Sequence, residues 1–255
     1  MQPQVNLMKS LYLAWQAPEP TRAWFTIGRL SVARDREHPL YVYQYTEGAL
    51  RAEKEAGLSS LPAFPDFRQR YEASELFPLF KNRVIDSHRR DFAGYLRSLD
   101  LDPQHPDPIE ILAVTCGIRQ TDSFEVFPKI EKKPDGGFAC RFFLHGLRHV
   151  SEEGQRRGLL LQPNEALRVS LELNNPVSGH AIQLASMEYQ FLGWTPRYLV
   201  MDLLQAISQS PWLSARVVRV NETTVPLNRR ILVELSGSWP EGYNPMSGSE
   251  FQTIH

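Results

Sequence analysis

Leu173-Asn174-Asn175-Pro176-Val177-Ser178-Gly179-His180-Ala181-Ile182 decides how the second half of the chain folds. Asn, Pro and Gly are turn formers and apolar residues stand on both sides, so the stretch predicts two antiparallel strands joined by a tight turn. Phe143-Leu144-His145-Gly146-Leu147-Arg148-His149 before it and Gly193-Trp194-Thr195-Pro196-Arg197-Tyr198 after it lie about 25 residues away, a spacing that suits strands of one small barrel. The turn itself is more polar than a strand reversal requires.

Around these segments the apolar pattern predicts strands over 138–144, 167–173, 181–184, 190–193, 216–220 and 230–235, with Asn164-Glu165 as a further turn. Thr195-Pro196 opens a helix whose Leu199, Leu203, Leu204 and Ile207 form a core-facing stripe. In the first half, 11–15, 24–30 and the aromatic alternation 41–45 read as a small antiparallel sheet, and the Pro-rich 61–67 as a packed loop. A helix is expected over 89–99. Another follows the N-cap pair Asp107-Pro108, closed by Gly117, before a strand over 122–128.

The fold class expected is therefore α+β: a small antiparallel sheet with helices, then a small β-barrel with one or two helices. Lys132-Lys133-Pro134-Asp135-Gly136-Gly137 marks the soft boundary, giving modules 1–135 and 136–240 and an extended tail 241–255. The same six residues also suit a hairpin tip.

Composition narrows the function classes. The 255 residues are 42% hydrophobic and 22% charged, which excludes bulk disorder, and a net charge of -1 gives no general attraction for a polyanion. Basic residues are 22 Arg against 6 Lys, which provides planar forks for phosphates and base edges but equally reflects codon usage. Cys116 and Cys140 make no CxxC pair and read as packed thiols. Residues 1–15 lack a leader pattern and no apolar run reaches spanning length, so no membrane and a cytoplasmic location are expected.

Catalytic signatures are missing: there is no phosphate-binding GxxxxGK[ST] loop, dinucleotide fingerprint, HExxH or GxSxG. The seven His, at 38, 88, 105, 145, 149, 180 and 255, are scattered; His145 and His149 are four apart, but Gly146 argues against a helix that would align them. Asp86, Asp91, Asp100 and Asp102 read as caps and solvated charges. No enzyme activity, cofactor or metal is expected. What remains is Arg148, His149, Asn175, His180, Arg197 and Tyr198, with Trp194, at strand ends and turns of the second module. Arg suits phosphate, Asn and His suit sugar or base-edge hydrogen bonds, and aromatic rings suit base stacking. The plainer alternative is an Asx turn at Asn175 and a core Trp194.

The combination 143–149, 173–176 with Ala181-Ile182, and Leu192 to Arg197 before a helix resembles the HIRAN domain over about 138–235. That resemblance implies an OB-like barrel that binds single-stranded DNA, particularly 3′ ends. It places Arg148 and His149 at the terminal nucleotide and Asn175 on the binding Asn. Val177 and Ser178 stand where end-binding members carry an aromatic residue and an Asp, so the implied stacking is weaker and a carboxylate acceptor is lost. Over 23–127, Gly28-Arg29-Leu30, the strand 41–45, Leu58-Ser59-Ser60-Leu61-Pro62 and Leu76-Phe77-Pro78-Leu79-Phe80-Lys81-Asn82-Arg83 resemble the N-terminal subdomain of HipA-type toxin kinases, which implies a docking module without phosphoryl transfer. The expectation is a non-enzymatic bacterial protein binding single-stranded, damaged or distorted DNA, in a repair or phage-defence setting. The alternative is a protein-interaction or antitoxin-like regulator of a separately encoded kinase or nuclease.

Overall fold

A computed structural model describes residues 9–34, 39–209 and 213–255; His38 and the first eight residues lie outside them. Along the chain run β1 Lys9–Gln16, β2 Trp24–Arg34, β3 Pro39–Tyr45, α1 Glu47–Ala56, β4 Tyr71–Ala73, α2 Pro78–Lys81, α3 Phe92–Ser98, α4 Pro108–Thr115 and β5 Phe124–Pro128. There follow β6 Gly137–Phe143, α5 Glu152–Leu160, β7 Ala166–Asn175, β8 Gly179–Ala185, β9 Phe191–Trp194, α6 Arg197–Gln209, β10 Ser214–Val220 and β11 Ile231–Ser238. The fold is mixed, with two antiparallel sheets and six helices among the described residues. No described helix is long and apolar enough to cross a membrane.

The compact units differ from the expected modules. One comprises 1–89, 107–129 and 246–255; the other comprises 90–106 and 130–245. The expected extended tail is divided between them. Tyr243 Oη donates to Asp202 Oδ1 at 2.6 Å within the second unit. Beyond it, Glu47 N donates to Gln252 O, Ile254 N donates to Tyr45 O, and Ile254 is buried in the first unit. Backbone pairing and the buried Met246, Thr253 and Ile254 anchor this segment while most of its residues stay exposed, which its polar, Gly-rich composition concealed.

The first unit is built on the sheet β4-β3-β2-β1-β5. Period-two alternation turns Tyr43 and Tyr45 to its core, where Tyr43 stacks on Phe64 with ring centroids 3.9 Å apart. Gly28 lies against this ring: a Cβ there would fall 2.3 Å from Tyr43 Oη, so only a bare Cα lets the tyrosine lie flat on β2. Tyr45 pins the Pro-rich loop, since its hydroxyl accepts from Leu61 N at 2.7 Å and donates to Phe64 O at 2.8 Å. Burial pushes this phenol up to about 12, so it remains a donor throughout the neutral range. Arg83 is buried and donates to Gly117 O and Asp122 Oδ2 at 2.9 and 2.7 Å, tying α2 to the segment after α4.

The start of α4 follows its chemistry more closely than its stop. Asp107 Oδ1 accepts from Ile109 N at 2.9 Å, with Pro108 in the first turn, as the pair predicts. Closure comes one residue earlier than expected, at left-handed Cys116, with Gly117 also at positive φ. α3 is shorter than expected, beginning at Phe92.

In the second unit every neighbouring pair of β6-β11-β10-β7-β8-β9 is antiparallel. β7 and β10 meet at only two residue pairs, Leu167 with Ala215 and Ala166 with Arg216. The outermost strands approach through one bridge, in which His145 N donates to Trp194 O at 2.9 Å and Trp194 N to His145 O at 3.0 Å. This is a curled sheet joined at one point, with no closed barrel among the described residues. Its core includes Phe138, Phe142, Leu167, Ile182, Leu184, Leu192, Leu199, Leu203, Val217, Leu232 and Leu235. Burial also pushes the Cys140 thiol up to about 12, in keeping with a packed thiol.

Tyr45→Phe is expected to destabilise the protein by about 1–3 kcal/mol, because it strands the buried Leu61 N–H and Phe64 carbonyl. Tyr43→Phe, which removes a buried hydroxyl lacking any partner, should be neutral or stabilising. Urea denaturation of the two variants measures the contrast.

Candidate nucleic-acid interface

The β7–β8 turn is held by Asn175. Its Oδ1 accepts from Val177 N at 3.0 Å and Ser178 N at 3.1 Å, and lies 3.1 Å from Ser178 Oγ. Its Nδ2 donates to Glu172 Oε2 at 3.2 Å. This is an Asx turn, continued by left-handed Gly179. The fold itself therefore uses the polar residues that sequence reasoning assigned to a ligand, and the Asn175 acceptor is already occupied. His180 is exposed, with Nδ1 3.1 Å from Leu173 O, which makes that nitrogen the protonated one.

Strand register assembles a wider surface. Ser170 faces Gln183, Gln183 faces Trp194 and Trp194 faces His145, so one row of side chains crosses from β7 to the residue beyond β6. The register slips between Leu184 and Ala185, making Leu192 an extra residue on β9. This bulge brings Phe191 and Trp194 to the same face, with rings 4.6 Å apart at 68°. Trp194 is half-buried, not a core residue. Its Nε1 donates to Glu172 Oε2 at 2.7 Å. Hydrogen bonds from Trp194, and then from Asn175 and Gln183, hold the Glu172 carboxyl below its usual range against a smaller effect of desolvation. On the neighbouring row, Arg168 lies 4.0 Å over the exposed Tyr189 ring and donates from Nε to Met187 O at 3.0 Å.

Two glycines permit the bridge at Trp194. Gly146 has φ of 73°, and a Cβ on it would meet the Trp194 ring at 2.3 Å; one on Gly193 would meet His145 O at 2.8 Å. The close approach places the 3-10 turn Leu147–His149 beside β9. In that turn Arg148 Nε donates to His149 Nε2 at 2.9 Å, and both side chains are exposed. His145 and His149 thus belong to a strand bridge and a 3-10 turn, with no α-helix to align them. Arg197, exposed, and Tyr198, half-buried, begin α6 just after Trp194.

Of the residues singled out in the sequence, Trp194, Asn175 and the segment leading to Arg148 meet at this face, with Glu172 as the joint between Asn175 and Trp194. Arg168, Glu172, Gln183, Tyr189 and Phe191 were not anticipated. The alternation Arg168-x-Ser170-x-Glu172 was a usable signal, but only the register with β8 and β9 shows which aromatics accompany it. Of the acidic residues suspected as caps, Asp86 and Asp102 make local contacts, with His88 N and with His105 and Gln104 N, while Asp100 accepts from the sequence-distant Arg141.

No family model matches the chain, and no curated protein does. Among solved structures, a crystal structure of a protein from Lactobacillus plantarum is similar at 19% identity with a TM-score of 0.31, over 40% of this chain and 96% of that one. That similarity lies below the level of a shared fold.

The depressed pKa of Glu172 sets the sign of one pH effect. Its ionised form contributes stability that is full above the ordinary value of 4.5 and is lost as pH falls through the lower folded value. Carboxyl titration by NMR should give a Glu172 midpoint below 4.5, moving upward in Trp194→Phe, where the indole donor is gone.

Proposed function

We propose that the chain is a non-enzymatic, cytoplasmic bacterial protein whose second unit, a curled HIRAN-like and OB-like sheet, binds single-stranded, damaged or distorted DNA. The observation that carries this reading is the outer face of β7, β8 and β9, where Arg168 over Tyr189 and the Phe191–Trp194 pair stand on one sheet surface. Aromatic faces stack bases and guanidinium groups hold phosphates, and a sheet with both suits unpaired nucleotides. Arg148 and His149 on the adjoining turn, and Arg197 and Tyr198 at the start of α6, supply further phosphate and stacking contacts; His180 offers its free ring edge at the hairpin. The role of Asn175 in this reading is to shape the turn and fix Glu172, which as an ionised carboxylate accepts from base amino groups. The first unit, as a HipA-like docking module, recruits the complex to its setting in repair or phage defence.

A protein-interaction reading has its own support. The apolar residues of the β7–β8 hairpin are more exposed toward its tip, with Leu171 37%, Leu173 59% and Val177 93% accessible. An antitoxin-like regulator would bury these residues against its target kinase or nuclease.

Fluorescence anisotropy with labelled single strands at two salt concentrations separates the readings. Salt-dependent binding is expected, weakened at least tenfold in Arg148→Ala with Arg168→Ala. Absence of salt-dependent binding, or an unchanged affinity in that double variant, overturns the nucleic-acid reading. Val177→Asp should leave DNA binding intact while disrupting capture of a protein target.

A further inference from the structure

A narrow cleft opens in the second unit between α5, β9 and the start of β11. Val150, Leu192 and Ile231, which line it and are buried or on buried strands, form its floor; Leu159 and Leu227 stand at its rim, each 42% accessible. Its volume of about 40 Å³ is room for roughly three water-sized groups. Such a lining suits an apolar ligand, yet Arg230 is part of it.

Arg230 is only 8% accessible. Its Nη2 donates to Thr223 O at 3.1 Å and to Val225 O at 2.7 Å, and its Nε is buried with no partner. Among the described residues no carboxylate pairs with it, whereas Arg83, comparably buried, has Asp122 at 2.7 Å. Of the undescribed residues, 1–8 and 210–212 contain no acid, and Asp35 and Glu37 belong to the first unit. Gln155, the other polar side chain of the lining, turns its amide nitrogen to Leu147 O and Val150 O. Two carbonyl dipoles bring no counter-charge, and a guanidinium stays protonated in any protein. A buried charge left without its opposite is costly.

We propose that the cleft binds an unbranched aliphatic carboxylate, its head group on the Arg230 guanidinium and its methylenes over Leu159 and Leu227. A carboxylate fills about three water-sized positions and sets one negative charge against one cation. A phosphate group is bulkier and more highly charged, and so exceeds both the space and the single guanidinium. The C-terminus of a peptide branches at the carbon next to its carboxylate, so a side chain and an amide would both have to enter beside the head group. An unbranched acid brings only methylenes. The inference does not rest on the nucleic-acid reading, because neither Arg230 nor Gln155 belongs to the outer face of β7, β8 and β9.

Isothermal titration calorimetry of the full chain with octanoate, 1-octanol and a tripeptide ending in leucine tests it. Octanoate is expected to bind at least tenfold more tightly than 1-octanol, which has the same tail without the charge, and more tightly than the tripeptide. Affinity should fall roughly two- to fourfold for each methylene removed from octanoate toward butanoate. Arg230→Met should lose the preference, with octanoate weakened at least tenfold while 1-octanol binds as before. Leu159→Glu, a change at an exposed helix position that keeps the test open where Arg230→Met does not fold, sets a negative charge at the rim and should cut the preference for octanoate over 1-octanol at least threefold. No octanoate binding at millimolar concentration, equal binding of octanoate and 1-octanol, tighter binding of the tripeptide, or an unchanged preference in either folded variant overturns the proposal.

Discussion

Trp194 is held from three directions, and the shape of the second unit depends on how those restraints agree. Its main chain exchanges two hydrogen bonds with His145, its indole N–H reaches Glu172, and its ring lies over Gly146. A main-chain bridge needs close backbones, yet a tryptophan ring needs space. The glycines at 146 and 193 reconcile these demands by removing the two Cβ atoms that would stand in the way. The same placement of the indole aligns Glu172, and through Glu172 the amide of Asn175. A curled sheet, a tight turn and an oriented carboxylate therefore share one set of contacts.

The arginine content has a similarly physical explanation. Several guanidinium groups are engaged in ion pairs: the buried Arg83 with Asp122 and, nearer the surface, Arg157 with Glu165 and Glu188, and Arg141 and Arg216 on either side of Glu234 across three strands. Burial raises the Glu234 carboxyl, but the two flanking arginines more than offset it, so the group remains anionic. The planar fork of Arg141 reaches Glu234 through Nε and Asp100 through Nη1 at once. Arg148 and Arg168 are the more informative residues because they make no ion pair among the described residues.

How much of this was legible depends on the size of the buried side chains. α4 and α6 announce themselves through Asp107-Pro108 and through a stripe of leucines. α1 and α5 do not, because what they bury is Gly48, Ala49 and Ala52 in one and Gly154 and Gly158 in the other. A Cβ on Gly48 would meet Thr26 O at 2.0 Å and one on Gly154 Phe191 O at 2.5 Å, so these helices lie directly on neighbouring backbone. Hydrophobic periodicity cannot signal a contact made by missing atoms. At the candidate interface the turn was visible in Asn175 and Gly179, but the pairing of Phe191 with Trp194 arises from a one-residue slip between β8 and β9. Such a slip changes which faces meet without leaving a mark in either strand's own pattern.

Residues 252–254 pair with 45–47, some two hundred positions earlier in the chain. At a synthesis rate of about 5–20 residues per second, Tyr45 emerges roughly 10–40 seconds before the segment that covers it. Once residue 128 is made the first unit has all five strands of its sheet, but it lacks its last covering segment while all of 130–245 is made. The second unit is thus the first to be complete, and the module nearest the start of the sequence is the last to close.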